Sequence, residues 1–336
     1  MLKLSSEEIF FIKTIFGRKK ISKNETTKID YEKLTKLASS HLMLPSLYCN
    51  LISKKIISTV PIDFKKYLEE IFAINYERNT HLLKELDCIS KLLKINQIDY
   101  VFLKGSALLL NNYFSNIGER MIGDIDLFVR QEHIDRCCDL LKSSNYHTEH
   151  LYKKWDTNVL PNFINKKKIF AIDIHTKLFP LSYNHLIKYS EKIVNTNKNY
   201  KTLNRKHEIY YCIYNFMIAD NAKLRANHSY RKIYDLKKMN YNGDMVLRND
   251  ILMNKFFVMN NLLGIFNKKK LKKNISLAIF EKRFIMKRTS KLYYQIDKNI
   301  CDIIEFIRFF KPKFIEGMHN RKYRNKIFNK LFRDKF

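Results

Sequence analysis

The chain has 336 residues, of which 46% are hydrophobic, enough for a sizeable core in one or two domains. Its 63 lysines and arginines outnumber 33 acidic residues, and the net charge of +30 fits a polyanionic partner and a composition biased toward Lys, Asn and Ile equally well. No apolar run reaches about 18 residues and the amino terminus lacks the apolar stretch of a signal peptide, so neither a transmembrane helix nor secretion is expected.

The amino-terminal region, residues 1–98, is predicted to be helical. Ser5 and Glu8 have the spacing of a capping box for a first helix. Pro61 precedes Asp63, which is the candidate N-cap of a long helix. The apolar stripe of that helix continues at helical spacing through Leu82, Leu86, Ile89 and Leu93. Such a stripe is expected to pack against the rest of the protein.

The central region, residues 99–183, is predicted to be an α/β unit built on a small mixed sheet. The expected elements, in order, are the strand Tyr100–Leu103, a short helix after Gly105-Ser106, the strand Asp124–Val129, the helix Glu132–Ser143, a strand near Tyr146–Tyr152, an irregular section around Trp155–Lys168 and the strand Ile169–Thr176. Short apolar runs that alternate with amphipathic segments indicate this organisation.

The carboxy-terminal region, residues 184–336, is predicted to be helical and basic. Asn242-Gly243 signals a turn within it. Lys268–Lys273 and Lys311–Phe336 carry dense positive charge, and the second segment also contains aromatic residues. These segments predict RNA or another polyanion as a partner, with a solvated basic face as the alternative. The predicted fold class is therefore α+β, with a small mixed-sheet core flanked by N-terminal and C-terminal helical regions.

The cysteines show no C-x-x-C pattern, and they are predicted to be reduced core thiols of a cytoplasmic protein. The six are Cys49, Cys88, Cys137, Cys138, Cys212 and Cys301. The adjacent pair Cys137 and Cys138 shares helical spacing with Ile134 and Leu141, as on the buried face of a helix.

Two carboxylates stand on one face of the second strand, because Asp124 and Asp126 are two residues apart and strand side chains alternate. Burying two like charges without a partner is costly, and a divalent cation relieves that cost. Magnesium favours one or two carboxylates together with substrate phosphates. The pair therefore predicts a site for Mg²⁺ or Mn²⁺.

A phosphate site is predicted at the turn Gly105-Ser106, which precedes a helix. Glycine lets the backbone approach a ligand closely, and free N–H groups at a helix N-terminus attract phosphate. Lys104 and Arg120 are candidate phosphate contacts. Strand alternation can direct Lys104 away from the site, and either side chain can instead be solvated in so basic a chain.

A third carboxylate is predicted at Asp173, which lies in an apolar strand where an unpaired charge is expensive. In-line phosphoryl transfer needs an activated hydroxyl group and neutralised phosphates, for which two cations held by three acids suffice. An edge-strand aspartate paired with a lysine is the alternative. His175 shares the face of Asp173, as an accessory site residue or as a structural hydrogen-bonding histidine.

The sequence Leu103-Lys-Gly-Ser-Ala-Leu108, with Arg120 and Asp124-Ile-Asp126-Leu127 after it, resembles the polymerase-β-type nucleotidyltransferase superfamily. More narrowly, it resembles the bacterial family of uncharacterised nucleotidyltransferases. The resemblance covers about Asn79 to Leu178, with a weaker similarity over Tyr210–Leu236. It implies a third acid on a later strand, an acid-x-His pattern there, and a role for Asp235 either in orienting a base or in packing.

The resemblance implies an enzyme that uses Mg²⁺ or Mn²⁺ to move a nucleoside monophosphate from a nucleoside triphosphate such as ATP to a hydroxyl group. Asp124, Asp126 and Asp173 are the candidate catalytic and metal-binding residues, and the acceptor is a small molecule, a sugar, a protein or RNA. Two alternatives stay open. One is an inactive nucleotidyltransferase-like protein that binds RNA, and the other is a related phosphotransferase.

Overall fold

The structure is a computed structural model that describes residues 2–17, 21–148, 159–160, 162–179, 194–197, 200–241, 250–266 and 274–319. The turn at Asn242-Gly243, the basic segment Lys268–Lys273 and residues 320–336 of the basic carboxy-terminal segment lie outside the described residues. The predictions made for these segments therefore stay predictions.

The amino-terminal region is helical, as predicted. Its helices are α1 (Ser6–Ile15), α2 (Lys23–Thr26), α3 (Tyr31–Ser40), α4 (Leu44–Ser53) and α5 (Ile62–Ile95). The backbone N–H of Glu8 donates to the side chain of Ser5, which confirms the predicted cap of α1. Helix α5 begins directly after Pro61, so Asp63 lies in its first turn and not at its N-cap.

A seven-stranded sheet follows the long helix α5. Its strands are β1 (Tyr100–Phe102), β2 (Ile125–Val129), β3 (His147–Thr148), β4 (Phe163–Ile164), β5 (Ile172–His175), β6 (Val194–Asn197) and β7 (Tyr200–Leu203), in the order β3-β4-β5-β2-β1-β7-β6. Parallel pairs join β2 to β5 and β1 to β7, and the other pairs are antiparallel. The sheet is mixed and flanked by helices, which confirms the predicted α+β class.

Three strands were not predicted. The strands β6 and β7 lie in the region predicted to be helical, and β4 lies in the section predicted to be irregular. The sequence of β6, Val194-Asn-Thr-Asn197, is polar and lacks an apolar alternation, so no strand signal is visible. Strand β7 pairs with the free edge of β1, and β6 pairs with the free edge of β7, so these strands depend on contacts within the sheet. The part of the strand predicted near Tyr146–Tyr152 that follows Thr148 lies outside the described residues.

The other helices are α6 (Lys104–Leu110), α7 (Ile134–Ser143), α8 (Arg205–Ile218), α9 (Ala222–Arg225), α10 (Tyr230–Lys238), α11 (Ile251–Leu262), α12 (Ile275–Thr289) and α13 (Lys291–His319). The helices α9 and α10 are separate, because Ala226 between them adopts a left-handed conformation with φ of 46°. Within the described part of the chain, the helices are all too short or too polar to span a membrane.

The six cysteines are all unpaired thiols, as predicted. Cys137 and Cys301 are buried, and the helical face that Cys137 shares with Ile134 and Leu141 packs into the core. Cys88 is exposed on α5, so the prediction that all six lie in the core was wrong for this residue.

The strand alternation divides the sheet into two faces. Tyr100 and Phe102 of β1 pack in one apolar cluster with Leu127 of β2 and the stripe of α5, which confirms that stripe as a packing surface. Val101 and Phe128 pack in the other cluster, together with helices of the amino-terminal and carboxy-terminal regions. The side chains of β2 that alternate with Leu127 therefore face these helices.

Candidate functional site

Three carboxylates converge on the sheet face that is turned toward the carboxy-terminal helices. The parallel register of β2 and β5 places Asp126 directly beside Asp173, and Asp124 precedes β2 on the same side as Asp126. One oxygen from each of the three lies within 4.8 Å of the others. The predicted three-acid cluster is therefore present in the fold, and its all-oxygen donor set suits a divalent cation such as Mg²⁺.

Asp126 is buried and already has two nitrogen partners, Lys104 and His175. Its Oδ1 accepts a hydrogen bond from Lys104 Nζ at 2.5 Å and lies 2.7 Å from His175 Nε2. Burial acts to raise the pKa of Asp126, but the His175 and Lys104 contacts outweigh burial and hold the pKa below its ordinary value. The contact with Asp126 shows that the Lys104 side chain lies at the acidic cluster and is not directed away from it. The backbone of Lys104 is left-handed there, with φ of 52°.

The other two acids lack such compensation. Burial, followed by the charges of Asp124 and Asp126, raises the pKa of Asp173 to about 6. Burial and Asp126 also raise the pKa of Asp124. The Oδ1 atom of Asp173 is buried and has no hydrogen-bond partner among the described residues. A cation bound between these carboxylates would satisfy that oxygen and relieve the repulsion.

The raised pKa of Asp173 predicts a pH-dependent cost to the metal-free protein. At low pH the carboxyl group is neutral in both states. As pH rises from about 4 to about 6, the unfolded chain ionises readily while the folded site disfavours the charge, so stability falls. We expect Asp173→Asn to melt about 1–3 °C above the parent at pH 7 without metal, and at the same temperature as the parent near pH 4. Thermal melting across this range measures the difference, and an equal difference at both pH values contradicts it.

The turn Gly105-Ser106 lies at the start of α6, but the glycine has a packing role that the sequence did not indicate. A Cβ atom at Gly105 would stand 3.0 Å from Ile122 Cγ1, so the absence of a side chain here lets Ile122 pack closely. The Ser106 Oγ atom is buried without a hydrogen-bond partner in the described chain. A phosphate role of this turn stays a proposal.

Arg120 and Asp235 form a buried ion pair with each other. Arg120 Nε and Nη2 donate to the two carboxylate oxygens of Asp235 at 2.7 and 2.9 Å, and the two side chains are only 6% and 3% exposed. This pair joins the loop before β2 to α10. The sequence did not predict this ion pair, because no sequence pattern indicates contact between two positions that are 115 residues apart.

Two asparagines that the sequence analysis did not single out hold this loop. Asn75 Nδ2 donates to the carbonyl of Gly118 at 2.7 Å, and Asn79 Nδ2 donates to that of Arg120 at 2.8 Å. Both amides are buried on α5, four residues apart. Two amides at this spacing within an otherwise apolar helix face were the available signal. These hydrogen bonds fix the backbone of the loop that leads into Asp124.

Comparison with models of protein families adds a second line of evidence. Residues 27–253 match a family described as "Uncharacterised nucleotidyltransferase". The match includes the whole sheet, the three acids and the pair formed by Arg120 and Asp235. A search of curated proteins found no match.

Proposed function

Since the chain belongs to the family of uncharacterised nucleotidyltransferases, we propose that it transfers a nucleoside monophosphate from a nucleoside triphosphate to a hydroxyl group of an acceptor. The observation that carries the proposal is the convergence of Asp124, Asp126 and Asp173 within 4.8 Å. Structural packing alone gives no reason to place three carboxylates together and leave a buried oxygen of Asp173 unpaired.

The three carboxylates would hold Mg²⁺ or Mn²⁺, which neutralises the triphosphate and the developing charge when bound. In the transfer, the acceptor oxygen forms a bond to the α-phosphorus, and the bond from that phosphorus to the bridging oxygen of pyrophosphate breaks. The proton of the acceptor hydroxyl passes to a carboxylate of the cluster. Lys104 and His175 both contact Oδ1 of Asp126, and these two contacts orient the carboxylate for metal binding.

Lys104 also supplies positive charge next to the acids, where the phosphates would lie. Its side chain is 28% exposed and can reach a ligand from the position it occupies at Asp126. In the Gly105-Ser106 turn, Ser106 Oγ is buried and has no hydrogen-bond partner among the described residues. We assign this hydroxyl group, together with Lys104, to the phosphates. Arg120 contributes by anchoring the loop through Asp235 and not by direct contact.

The released product distinguishes this proposal from its alternatives. Incubation with each nucleoside triphosphate, Mg²⁺ and cell extract is expected to release pyrophosphate. A phosphotransferase would release the nucleoside diphosphate, and an inactive RNA-binding protein would release neither. Chromatography of the nucleotide products together with a pyrophosphate assay decides between the three, and nucleoside diphosphate without pyrophosphate would overturn the proposal.

A further inference from the structure

A small polar cavity lies between α6, α8 and α10, next to the acidic cluster. Its polar lining consists mainly of Lys104, Arg120, Glu208, Tyr211, Asn215 and Asp235. Lys104 belongs to both places, because its Nζ also contacts Asp126. The cavity volume of about 20 Å³ admits one or two groups the size of water but no nucleobase.

Two buried polar atoms of this lining have no partner in the described residues, namely Tyr211 Oη and Glu208 Oε1. Tyr211 is 2% exposed and Glu208 is 3% exposed, so bulk water does not satisfy them. Buried polar groups in folded proteins are almost always hydrogen-bonded. We therefore expect the cavity to hold a group that forms hydrogen bonds with these atoms.

The two residues are fixed by their other contacts, so the cavity is not a product of loose packing. Glu208 Oε2 accepts a hydrogen bond from Asn111 Nδ2 at 3.0 Å, and Asn111 Oδ1 accepts one from Thr202 Oγ1 at 3.2 Å. The ring of Tyr211 packs on Phe179 with the ring centroids 5.5 Å apart. This chain of contacts connects β7 and the end of α6 to α8 and fixes Glu208 and Tyr211, two residues of the cavity lining.

The chemistry of the lining disfavours a cationic occupant and suits a group that both donates and accepts hydrogen bonds. Burial raises the pKa of Glu208 to about 8, which favours the neutral carboxyl group and weakens its attraction for a cation. Burial also raises the pKa of Tyr211, which keeps its phenol neutral. Lys104, Arg120 and Lys232, which also line the cavity, further disfavour an ammonium group. A carboxylic acid and a phenol each donate and accept, as does an alcohol.

We infer that this cavity is a hydroxyl-binding subsite that receives a ribose hydroxyl of the nucleoside triphosphate. The inference rests on the proposed function. The ribose is joined through its 5′ oxygen to the α-phosphate, so its hydroxyl groups lie only a few bonds from the phosphates, and the cavity shares Lys104 with the residues that we assign to the phosphates. Tyr211 and Glu208 would then form hydrogen bonds with that ribose hydroxyl group.

Equilibrium binding tests this subsite. The ligands are the ribonucleoside triphosphate that binds most tightly with Mg²⁺, among the four common ones, and its 2′-deoxy and 3′-deoxy forms. Tyr211→Phe is expected to weaken binding of the ribonucleotide about threefold to tenfold, the effect of one hydrogen bond, and to leave at least one deoxy form unaffected. Tyr146→Phe is the matched control, because its buried hydroxyl donates to Glu85 Oε1 at 2.7 Å, away from the cavity.

Equal weakening of all three ligands, or no weakening, overturns the inference and leaves the cavity with a structural water. That result does not touch the proposed function, since the unmodified protein still binds nucleotide. If the unmodified protein binds none of the three in the presence of Mg²⁺, the proposed function fails and the subsite fails with it.

Discussion

Replacement of Asp126 by asparagine is expected to lower nucleotidyl transfer by at least about a hundredfold. A bound cation contributes several kcal/mol of transition-state stabilisation, and each loss of about 1.4 kcal/mol lowers the rate tenfold. Asparagine removes the negative charge from the most deeply buried of the three acids. Initial rates at saturating nucleotide, and the rise in melting temperature on addition of Mg²⁺, measure the loss.

Asp87→Asn is the control for this substitution, because Asp87 lies on α5 in an ion pair with Lys91 outside the site. It is expected to leave both readouts unchanged. Without metal, Asp126→Asn should also lower the melting temperature, since Lys104 and His175 lose their charged partner. Asp173→Asn should raise it, because repulsion is relieved. Near-normal transfer by Asp126→Asn, or equal stability effects of the two variants, contradicts the site.

Replacement of Arg120 by leucine is expected to destabilise the protein by about 3–5 kcal/mol, because it leaves the buried carboxylate of Asp235 unpaired. Arg120→Leu combined with Asp235→Leu should recover part of this loss, since both charges are then absent. Denaturant unfolding of the two single variants and the double variant gives the coupling between the residues.

The matched control is the exposed pair of Glu32 and Lys36, whose side chains are 77% and 73% exposed. Lys36→Ala is expected to change stability by less than about 0.5 kcal/mol. A similarly small effect of Arg120→Leu, together with a large loss of nucleotide affinity, would show that Arg120 binds phosphate directly. The additivity of the two single variants would also contradict the ion pair.

The acidic cluster was predictable because its determinants are local. The two-residue spacing of Asp124 and Asp126 fixes their shared face, and an acid in the apolar strand Ile172–His175 stands out as costly. The register that pairs Asp126 with Asp173 was not visible in the sequence, but the parallel alignment of two short apolar strands is an arrangement that such a unit favours.

Other features depend on contacts between distant parts of the chain. The strand β6 has no apolar alternation and exists because β7 offers it an edge. The close packing of Ile122 against Gly105, seventeen residues earlier, is a second reason for glycine at this position. The cavity at Tyr211 required knowledge of how α8 packs on the sheet. None of these contacts has a signature within a sequence window.

The most direct test of nucleotidyl transfer follows the α-phosphate. The protein, Mg²⁺ and cell extract are incubated with nucleoside triphosphates labelled at the α or at the γ position, with Asp126→Asn as the inactive control. The account predicts that a molecule of the extract acquires the α label and not the γ label, and only with the unmodified protein. Acquisition of the γ label, or equal α labelling by Asp126→Asn, would contradict it.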